Sequence, residues 1–561
     1  MTAEYGSTQE EREVSINPTP SPAPAERGTA DPGPRDLERG PGPGRRGDAA
    51  QDGTSAPDPR DPGRRPAGPR GRDFDTEDGD PGPRDLGREP GPGGGPQLSN
   101  VWVYKGRAYD LSEWINKHPG GEFFIGRSKN RDITSIIGSY HANPEKVEKM
   151  LERFALDRDA RVEDVHPKNN APAFLFKDGF DSWRDTPRYR FDDPKDLLHA
   201  VKARLRDPAT KARIKRMDRW FDIVAAALAI AYVVVIATRL GVPSWMPIWL
   251  FVLLMVILRS SLAGFGHYAI HRTQKGATKV LVNAFDINYV ALSFVTADGH
   301  ALLHHPHTQS EVDIKKNVFT MMMDIPRWYR IPIHTLHKFG HTATGMTMRL
   351  FEIVRLTRQV GVADMYGSLR GALPHFIGAF AMRALLIGEF LLFLFLGDVW
   401  AWVAQFVAVL WVSTFLVVAS HDFETDVDEL PEVETEDWAV NQLHQAYDLW
   451  ISGNRYVDCF LSAGLSSHRV HHVLPYQRSG FANIATEELM AEEAAKFGVE
   501  WLPRRSFFFD RLPDQVRTFL GSKARPAQEQ GHGFFREHFS PQALKTSGSY
   551  VVAGFTGIGT V

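Results

Sequence analysis

Histidines recur in four short clusters in the second half of the chain, and their type and spacing indicate a metal site. The cluster members are His267, His271, His300, His304, His305, His421, His468, His471 and His472. On an α-helix, residues three or four positions apart share one face, so a cluster with this spacing can aim its rings to one side. Neutral imidazole is a good ligand for iron, copper and zinc. We therefore expect these residues to bind metal.

The number of imidazoles indicates two metals rather than one. A zinc ion takes three or four protein ligands, whereas nine nitrogens fit two ions with four or five each. Two irons held in this way can activate O2 and remove hydrogen from an unactivated C–H bond. For any single histidine a surface or interfacial position is the more ordinary interpretation. The recurrence of clusters argues against that interpretation for the whole set.

Other histidines are weaker candidates. We expect His307 to lie beside the site rather than in it, and His444 is a weaker alternative to the single histidine of the third cluster. His334, His337 and His341 lie in a separate basic stretch without a doublet. We therefore expect these three residues at a surface or an interface.

Four apolar runs would bring the clusters to one place. They cover residues 221–241, 244–265, 378–399 and 400–420. About 20 residues of helix cross a hydrocarbon core of about 30 Å, and the short connections predict two helical hairpins. Basic segments flank the hairpins, whereas the hairpin turns lack Lys and Arg. The positive-inside rule therefore places both termini and the histidine clusters on the cytoplasmic side.

Two arginines interrupt the apolar runs. Arg259 lies near one end of its predicted helix, and Arg383 lies near the start of the third run. A long basic side chain close to a helix end can reach the membrane surface with its charged group. We therefore expect both side chains to snorkel.

Composition excludes several classes of protein. The chain has 561 residues, with 65 basic and 68 acidic side chains and a formal net charge of −3, so nucleic acid is not an expected partner. Its one cysteine, Cys459, excludes a disulfide framework and thiolate metal sites. Residues 1–97 are rich in proline and glycine and repeat the sequence DPGPRDL. This composition is typical of a disordered tail.

A separate small domain is predicted at 98–175. The segment that begins at Val101 predicts two short strands around a Lys105-Gly106 turn, followed by a helix that ends at His118. Its sequence is VWVYKGRAYDLSEWINKHPGG. A second histidine, His141, follows a short apolar stretch, and two imidazoles from separate segments can bind an iron porphyrin from opposite sides. This stretch resembles the cytochrome b5 family. The resemblance implies heme b, with His118 and His141 as its axial ligands.

Residues 215–510 resemble the integral-membrane fatty acid desaturases, which carry three histidine boxes and two hydrophobic hairpins. The segment that begins at His468 is similar to the end of the cytochrome b5-fused, front-end subgroup. Its sequence is HRVHHVLPYQRSGFANIATEELMAEEAAKFGVEW. Two positions depart from that subgroup: His468 stands where glutamine is usual, and the middle box is HxxxHH rather than HxxHH. On a regular helix, His305 lies about 140° round from His300. The helix must then bend or end if both are to reach a metal.

The resemblance implies a complete architecture. We expect a disordered tail at 1–97, a small α+β cytochrome b5-like heme-binding domain at 98–175, a linker or interfacial segment at 176–215, an all-α membrane domain at 216–510 and a C-terminal tail at 511–561. The membrane domain should have four transmembrane helices in two hairpins, with cytoplasmic helices that carry the histidine boxes. Residues 281–295 are too short and polar to span, and should lie near the interface.

The same resemblance implies an activity. A front-end-like acyl lipid desaturase uses two iron ions and O2 to introduce a cis double bond into a long-chain acyl lipid, fatty acyl or sphingolipid, in the endoplasmic reticulum membrane. Electrons would come from the fused heme. A separate NADH-cytochrome b5 reductase or a similar electron donor would reduce that heme, because no glycine-rich dinucleotide fingerprint follows a predicted strand. The nine histidines would be the metal ligands, and no further catalytic residue is expected.

Two other kinds of function stay open at this stage. A hydroxylase, epoxidase or acetylenase uses the same scaffold and differs only in what happens to the substrate radical, so the mass of the product distinguishes them. A non-catalytic heme- or lipid-binding membrane protein is the other alternative. Loss of box histidines would mark such a protein, whereas here all the expected positions are occupied.

Overall fold

The computed structural model describes residues 101–161, 164, 191, 194–241, 245–273, 275–282, 284, 300–302, 304–309, 313, 321–340, 369–421 and 435–556. The predicted tail at 1–97, residues 176–190 of the predicted linker, most of the 281–295 segment and His341 lie outside these ranges. The described chain forms a small mixed domain followed by a mostly helical body.

The small domain is built on a three-stranded antiparallel sheet. Its strands β1 (Trp102–Tyr104), β2 (Arg107–Tyr109) and β3 (Ala155–Asp159) lie in the order β1-β2-β3. Lys105 and Gly106 form the predicted turn with positive φ angles of 49° and 74°, as a two-residue type I′ turn requires. Between β2 and β3 come a 3-10 helix (Ser112–Lys117), α1 (Glu122–Arg127), α2 (Thr134–Tyr140) and α3 (Pro144–Leu151). The predicted α+β domain is confirmed.

In the part of the chain that the structure describes, four helices of the body are long and apolar enough to cross a membrane, as predicted. In chain order the helices are α4 (Leu197–Leu205), α5 (Pro208–Leu240), α6 (Ile248–His271), α7 (Thr278–Leu281), α8 (Leu369–Phe395) and α9 (Val399–Ala419). The candidate spans are α5, α6, α8 and α9, with mean hydropathies of 1.9 to 2.3 in their most apolar windows. The 33 residues of α5 make a helix about 50 Å long. Its basic first turns therefore extend beyond a hydrocarbon core of about 30 Å.

The spanning helices pack through large apolar side chains. Helix α6 packs against both α5 and α9. Phe251, Met255, Phe393, Trp402 and Phe406 are buried in one cluster between the helices. Other large apolar side chains of α5 and α8 stay exposed on the outside of the bundle. This pattern, apolar on both the packed and the exposed faces, is that of helices surrounded by lipid rather than water.

The prediction that the two arginines snorkel is wrong. Arg259 lies at the middle of α6 and Arg383 at the middle of α8, not near helix ends. Arg259 is 2 % exposed and Arg383 is 4 % exposed. The predicted runs began or ended closer to these residues than the real helices do, so the distance to the membrane surface was underestimated.

A polar network holds Arg259 inside the bundle. Its guanidinium pairs with Glu389 of α8 at 2.6 Å, and its Nε donates to Gln405 of α9 at 2.9 Å. Glu389 also accepts hydrogen bonds from the Trp402 indole at 3.0 Å and from the Tyr232 hydroxyl of α5. Each spanning helix contributes at least one member, so the network fixes how the four helices meet.

The rest of the described body folds against the ends of α6 and α9. It contains α10 (Trp438–His444), β4 (Leu449–Trp450), α11 (Arg455–Leu461), α12 (His468–Val473), α13 (Gly480–Lys496) and β5 (Arg505–Ser506), which pairs in parallel with β4. The expected tail at 511–561 forms, in its described part, α14 (Leu512–Gly521), α15 (Arg525–Glu529), α16 (Phe534–Phe539) and α17 (Pro541–Thr556). Arg511 donates to the carbonyl oxygens of Ala419 and His421, both at 3.1 Å, and so ties this region to the end of α9.

Removing the Glu389 carboxylate should leave a buried arginine without its counter-charge. Breaking a buried ion pair at one partner costs about 3–5 kcal/mol, so Glu389→Ala should clearly lower the Tm of the detergent-solubilised protein. The double variant Arg259→Met/Glu389→Met should recover much of the loss, because no buried charge is left. A Tm of Glu389→Ala equal to that of the parent would contradict a stabilising role for the network.

Candidate metal centre and heme site

All nine histidines of the predicted clusters are buried together at the ends of α6 and α9. His267 and His271 lie on the last turns of α6, and His421 follows α9 closely. Three more lie on α12, and the remaining three belong to the helical turn at 300–305. None of the nine is more than 5 % exposed. Segments far apart in sequence therefore supply one continuous set of imidazoles.

Five of these imidazoles form a first group. One ring nitrogen of each lies within 4.8 Å of those of the others, and the members are His267, His271, His300, His305 and His471. His267 Nε2 is 2.9 Å from His300 Nε2 and 2.9 Å from His471 Nε2. His305 Nε2 is 3.1 Å from His300 Nε2. The inner nitrogens of this group thus face one small volume.

The other four imidazoles form a second group beside the first. Ring nitrogens of His304, His421 and His472 lie within 4.8 Å of one another. His468 joins them, with its Nε2 3.0 Å from that of His472 and its ring centroid 4.7 Å from that of His421. The ring centroids of His305 and His472 are 4.4 Å apart, so the two groups touch.

This donor set fits metal ions. His267 Nε2 faces two other ring nitrogens at 2.9 Å, and one shared proton cannot satisfy such a three-way contact. Two metal–imidazole bonds of about 2.0–2.1 Å at a right angle would place their nitrogens about 3 Å apart, which matches these distances. Burial and neighbouring imidazoles hold the pKa of His305 and of His472 well below the usual value. Both rings therefore stay neutral and keep a lone pair for a metal.

The middle cluster reaches the site through a widened helical turn. The His305 N–H donates to the carbonyl oxygen of His300, five residues earlier, at 3.1 Å. An i→i+5 hydrogen bond is that of a π-helix, whose turn holds more residues than an α-helical turn. His300 and His305 therefore return to the same face, with ring centroids 4.6 Å apart. We expected the helix to bend or end here if both rings were to reach a metal; instead, a π turn absorbs the additional residue of HxxxHH.

Acceptors behind the rings fix how two of them point. His304 Nδ1 lies 3.0 Å from both carboxylate oxygens of Asp313, which is itself fully buried. His472 Nδ1 lies 2.9 Å from Gln442 Oε1. An Nδ1–H that donates outward leaves Nε2 as the lone-pair nitrogen that faces the group. Asp313 and Gln442 thus set the tautomers of these rings.

Backbone carbonyl oxygens do the same for two further rings. His421 Nδ1 lies 2.7 Å from the carbonyl oxygen of Gln445, and His267 Nδ1 lies 3.3 Å from that of Ala463. The second contact requires α6 to run close to the loop before α12. A side chain at Gly264 would place its Cβ 3.0 Å from the Ala463 backbone, so glycine permits this approach.

Sequence reasoning missed several side chains that touch the histidines, among them Asp313, Gln442, Thr308 and Tyr140. The Tyr140 hydroxyl, in the small domain, lies 2.8 Å from His271 Nδ1 although the two residues are 131 positions apart. No local spacing connects such pairs, because each contact exists only once separate segments have packed together. The sequence therefore offered no signal for them.

Among the described residues, four histidines that were weaker candidates lie outside both groups: His307, His334, His337 and His444. His307 and His444 are half-buried, and His444 Nδ1 donates to the Val440 carbonyl of its own helix at 2.9 Å. His334, expected at a surface or an interface, is instead buried at 2 % exposure, with its Nδ1 2.9 Å from the Tyr550 hydroxyl of α17. That expectation is wrong because the C-terminal helices, which were taken for a tail, cover His334.

A second site lies in the small domain. His118 follows the 3-10 helix and His141 follows α2, with ring centroids 6.1 Å apart. Two imidazoles on opposite sides of one metal, with bonds of about 2 Å, would have centroids about 6 Å apart. Burial lowers the pKa of His118 and lowers that of His141 to about 4, so both rings are neutral. A Cβ at Gly120 would lie 2.6 Å from the His118 ring, so the ring occupies space that only glycine leaves. These residues fit a heme.

Comparison with known protein families accounts for both sites. The family model for fatty acid desaturase matches residues 243–502, and the one for the cytochrome b5-like heme/steroid binding domain matches residues 95–158. The chain belongs to the fatty acid desaturases with a fused cytochrome b5 domain. This desaturase is thus an oxidoreductase of the membrane. The first matched region contains all nine histidines, and the second contains His118 and His141.

Two relatives match the desaturase over most of its length at low identity, and another matches only its small domain at higher identity. Acyl-lipid (7-3)-desaturase, chloroplastic, from Chlamydomonas reinhardtii is 24 % identical over 459 residues, which cover 74 % of this chain and 78 % of that protein. Probable Delta(5) fatty acid desaturase C from Dictyostelium discoideum is 22 % identical over 409 residues, 67 % of this chain and 82 % of that protein. A cytochrome b5-related protein from Drosophila virilis is 38 % identical over 64 residues, 11 % and 44 % of the two chains. No solved structure matches the desaturase.

Asp313→Ala should weaken iron binding without touching the inner nitrogens. Loss of a carboxylate behind a metal-bound histidine typically lowers metal affinity about 10–100-fold, so the purified variant should retain less iron during dialysis against a chelator. Asp324→Ala is the matched control, because Asp324 pairs with Arg525 at 2.8 Å and is not among the histidine partners. Equal iron retention by Asp313→Ala and the control would refute the role given to Asp313.

Proposed function

We propose that this desaturase uses two irons and O2 to introduce a cis double bond into a long-chain acyl lipid. The observation that supports the proposal most strongly is the pair of touching imidazole groups, buried where α6 and α9 end. Two irons bound there would supply O2 activation and removal of hydrogen from an unactivated C–H bond. The family implies iron; the number of ions and the use of each ligand are our proposal.

We assign the ligands by group. The first iron is assigned to His267, His271, His300, His305 and His471, and the second to His304, His421, His468 and His472. The chain's part in the chemistry is to hold these neutral rings at fixed tautomers and to exclude water from the volume they enclose. Exclusion of water protects a reactive oxidant from side reactions.

Electron balance requires an external donor. Forming one double bond releases two hydrogen atoms from the chain, which are two protons and two electrons. Reducing O2 to two waters takes four protons and four electrons. Two protons therefore come from solvent and two electrons come from elsewhere, and the heme of the small domain is the donor that we assign.

The small domain is suited to electron transfer only. His118 and His141 would hold heme b between them, and a heme held by two imidazoles would supply electron transfer rather than O2 chemistry. Fusion to the membrane body raises the effective concentration of the donor at the metal centre. NADH-cytochrome b5 reductase or a similar donor would in turn reduce the heme.

We place the protein in the endoplasmic reticulum membrane, with several spans and with both termini on the cytoplasmic side. Basic residues at the start of α5 and directly after α6 support this orientation, since cytoplasmic segments carry an excess of Lys and Arg. The names of the relatives, an acyl-lipid desaturase and a fatty acid desaturase, support an acyl lipid as the substrate class.

His471→Ala tests the ligand assignment. Removal of one inner nitrogen of the first group should lower iron content and abolish new double bonds when the chain is expressed in a host without polyunsaturated lipids, as measured by iron assay and lipid mass spectrometry. His444→Ala is the matched control, because this half-buried histidine lies outside both groups. Its product yield should match that of the parent, and both variants should keep the heme spectrum. Undiminished desaturation by His471→Ala would refute the ligand role.

Product mass tests the reaction type in the same experiment. Desaturation lowers the mass of the acyl chain by two hydrogens, whereas hydroxylation or epoxidation adds one oxygen atom. A product that is heavier by one oxygen atom and that forms only when His471 is present would support the metal centre but overturn the proposed desaturation.

A further inference from the structure

The small domain contacts the membrane body through a half-buried ion pair next to the heme site. Glu122, on the first turn of α1, pairs with Lys279 of α7 and with the His375 ring of α8, the latter at 3.1 Å. Burial raises the pKa of Glu122, but hydrogen bonds from His375 and Lys279 outweigh it and lower the pKa to about 2. The carboxylate is therefore charged at neutral pH and holds the domain to α7 and α8.

Apolar contacts join the same domain to the histidine clusters. Leu302, which lies between the histidines of the middle cluster, is buried in the apolar core of the small domain. Phe124 and Tyr140 of the small domain pack both against that core and against the apolar cluster around α6 and α9. Lys202 of α4 donates to carbonyl oxygens at the end of α2, including that of His141 at 2.7 Å. Heme domain and metal centre thus share one packed interface.

Tyr140 lies at the centre of this interface. It precedes His141, the proposed heme ligand, and its hydroxyl lies 2.8 Å from Nδ1 of His271, a proposed iron ligand. The two rings also stack, with centroids 5.9 Å apart and planes 17° apart. If His271 binds metal through Nε2, its Nδ1–H donates to the tyrosine oxygen. A single hydrogen bond then links Tyr140, the chain neighbour of the proposed heme ligand His141, to His271, a proposed iron ligand.

We propose that Tyr140 couples the heme to the iron centre in a domain that stays docked during turnover. The route runs from His141 through the peptide bond to Tyr140, and from its hydroxyl across the hydrogen bond to His271. Each electron that passes oxidises the heme by one electron and reduces the iron pair by one. Two such passages, together with the two electrons taken from the acyl chain, would supply the four electrons that reduction of O2 to two waters requires. This inference rests on the proposed function, because it takes the two sites as electron donor and acceptor.

Tyr140→Phe tests the route, because phenylalanine keeps the stacked ring and removes only the hydroxyl. The full chain, loaded with heme and iron in lipid nanodiscs, is reduced at the heme, mixed with O2 and followed by heme absorbance. The rate of heme re-oxidation in the iron-free protein is subtracted from the rate in the loaded protein. The remaining iron-dependent rate is divided by the bound iron before the variants are compared. We expect Tyr140→Phe to slow the iron-dependent re-oxidation about tenfold or more, as loss of a partner behind a metal ligand typically does.

Tyr104→Phe is the matched control. Tyr104 lies in the same domain and loses an equivalent hydrogen bond, to Glu148 at 2.9 Å, away from the interface. It should re-oxidise at the parent rate, and both variants should keep the heme spectrum and midpoint potential of the parent. The proposed route would be overturned if Tyr140→Phe re-oxidised its heme at the parent rate per bound iron. Equal slowing of heme re-oxidation in both variants would overturn it as well.

Viscosity separates a docked domain from a mobile one. In the parent, glycerol that raises the viscosity severalfold should leave the rate of iron-dependent heme re-oxidation unchanged, because no domain has to swing into place. A rate that falls in proportion to viscosity would contradict the docked state. If the chain makes no unsaturated lipid yet Tyr140→Phe still slows iron-dependent re-oxidation, the proposed function fails and the route stands.

Discussion

Nine buried imidazoles that share one small volume are the constraint on which the rest of the structure depends. Polar groups in such a volume are costly unless each finds a partner. The outer nitrogens of His304 and His472 meet this demand with Asp313 and Gln442. The inner nitrogens crowd one another at about 3 Å, which leaves bound cations as the partners that satisfy them together. Metal binding at the proposed centre would therefore stabilise the fold as well as supply chemistry.

The membrane helices position this centre because each hairpin ends in histidines. The chain leaves α6 at His271 and α9 just before His421, so both ends must lie at the same level. Apolar packing alone lets helices slide along one another, since lipid offers equivalent contacts. The network around Arg259 and Glu389 opposes such sliding, because a shift of one turn would separate a buried pair. Polar contacts within the bundle thus fix the geometry at its end.

Local patterns explain why so much was predictable from sequence. The nine histidines, the His118 and His141 pair and the four apolar helices were all predicted from spacing within single segments. Contacts between segments were not. The π turn at His300 could not be foreseen, because the choice between a bent helix, an ended helix and a widened turn depends on where the other rings already stand. Arg259 was misplaced because its predicted run ended at residue 265, whereas the helix continues to His271, and its partner Glu389 on another helix gave no local signal.

The contact between Tyr140 and His271 adds something that a tether alone cannot. A flexible tether raises the frequency of encounters between donor and acceptor, but each encounter must still find the right orientation. Here the end of α2 supplies both His141 and Tyr140, so one helix sets the orientation of the proposed heme ligand and the contact with the proposed iron ligand His271. Lys202 holds that helix end through its carbonyl oxygens, and Glu122 holds the neighbouring helix. Any displacement of α2 would therefore disturb both sites together, which makes the docked interface itself part of the electron-transfer machinery that we propose.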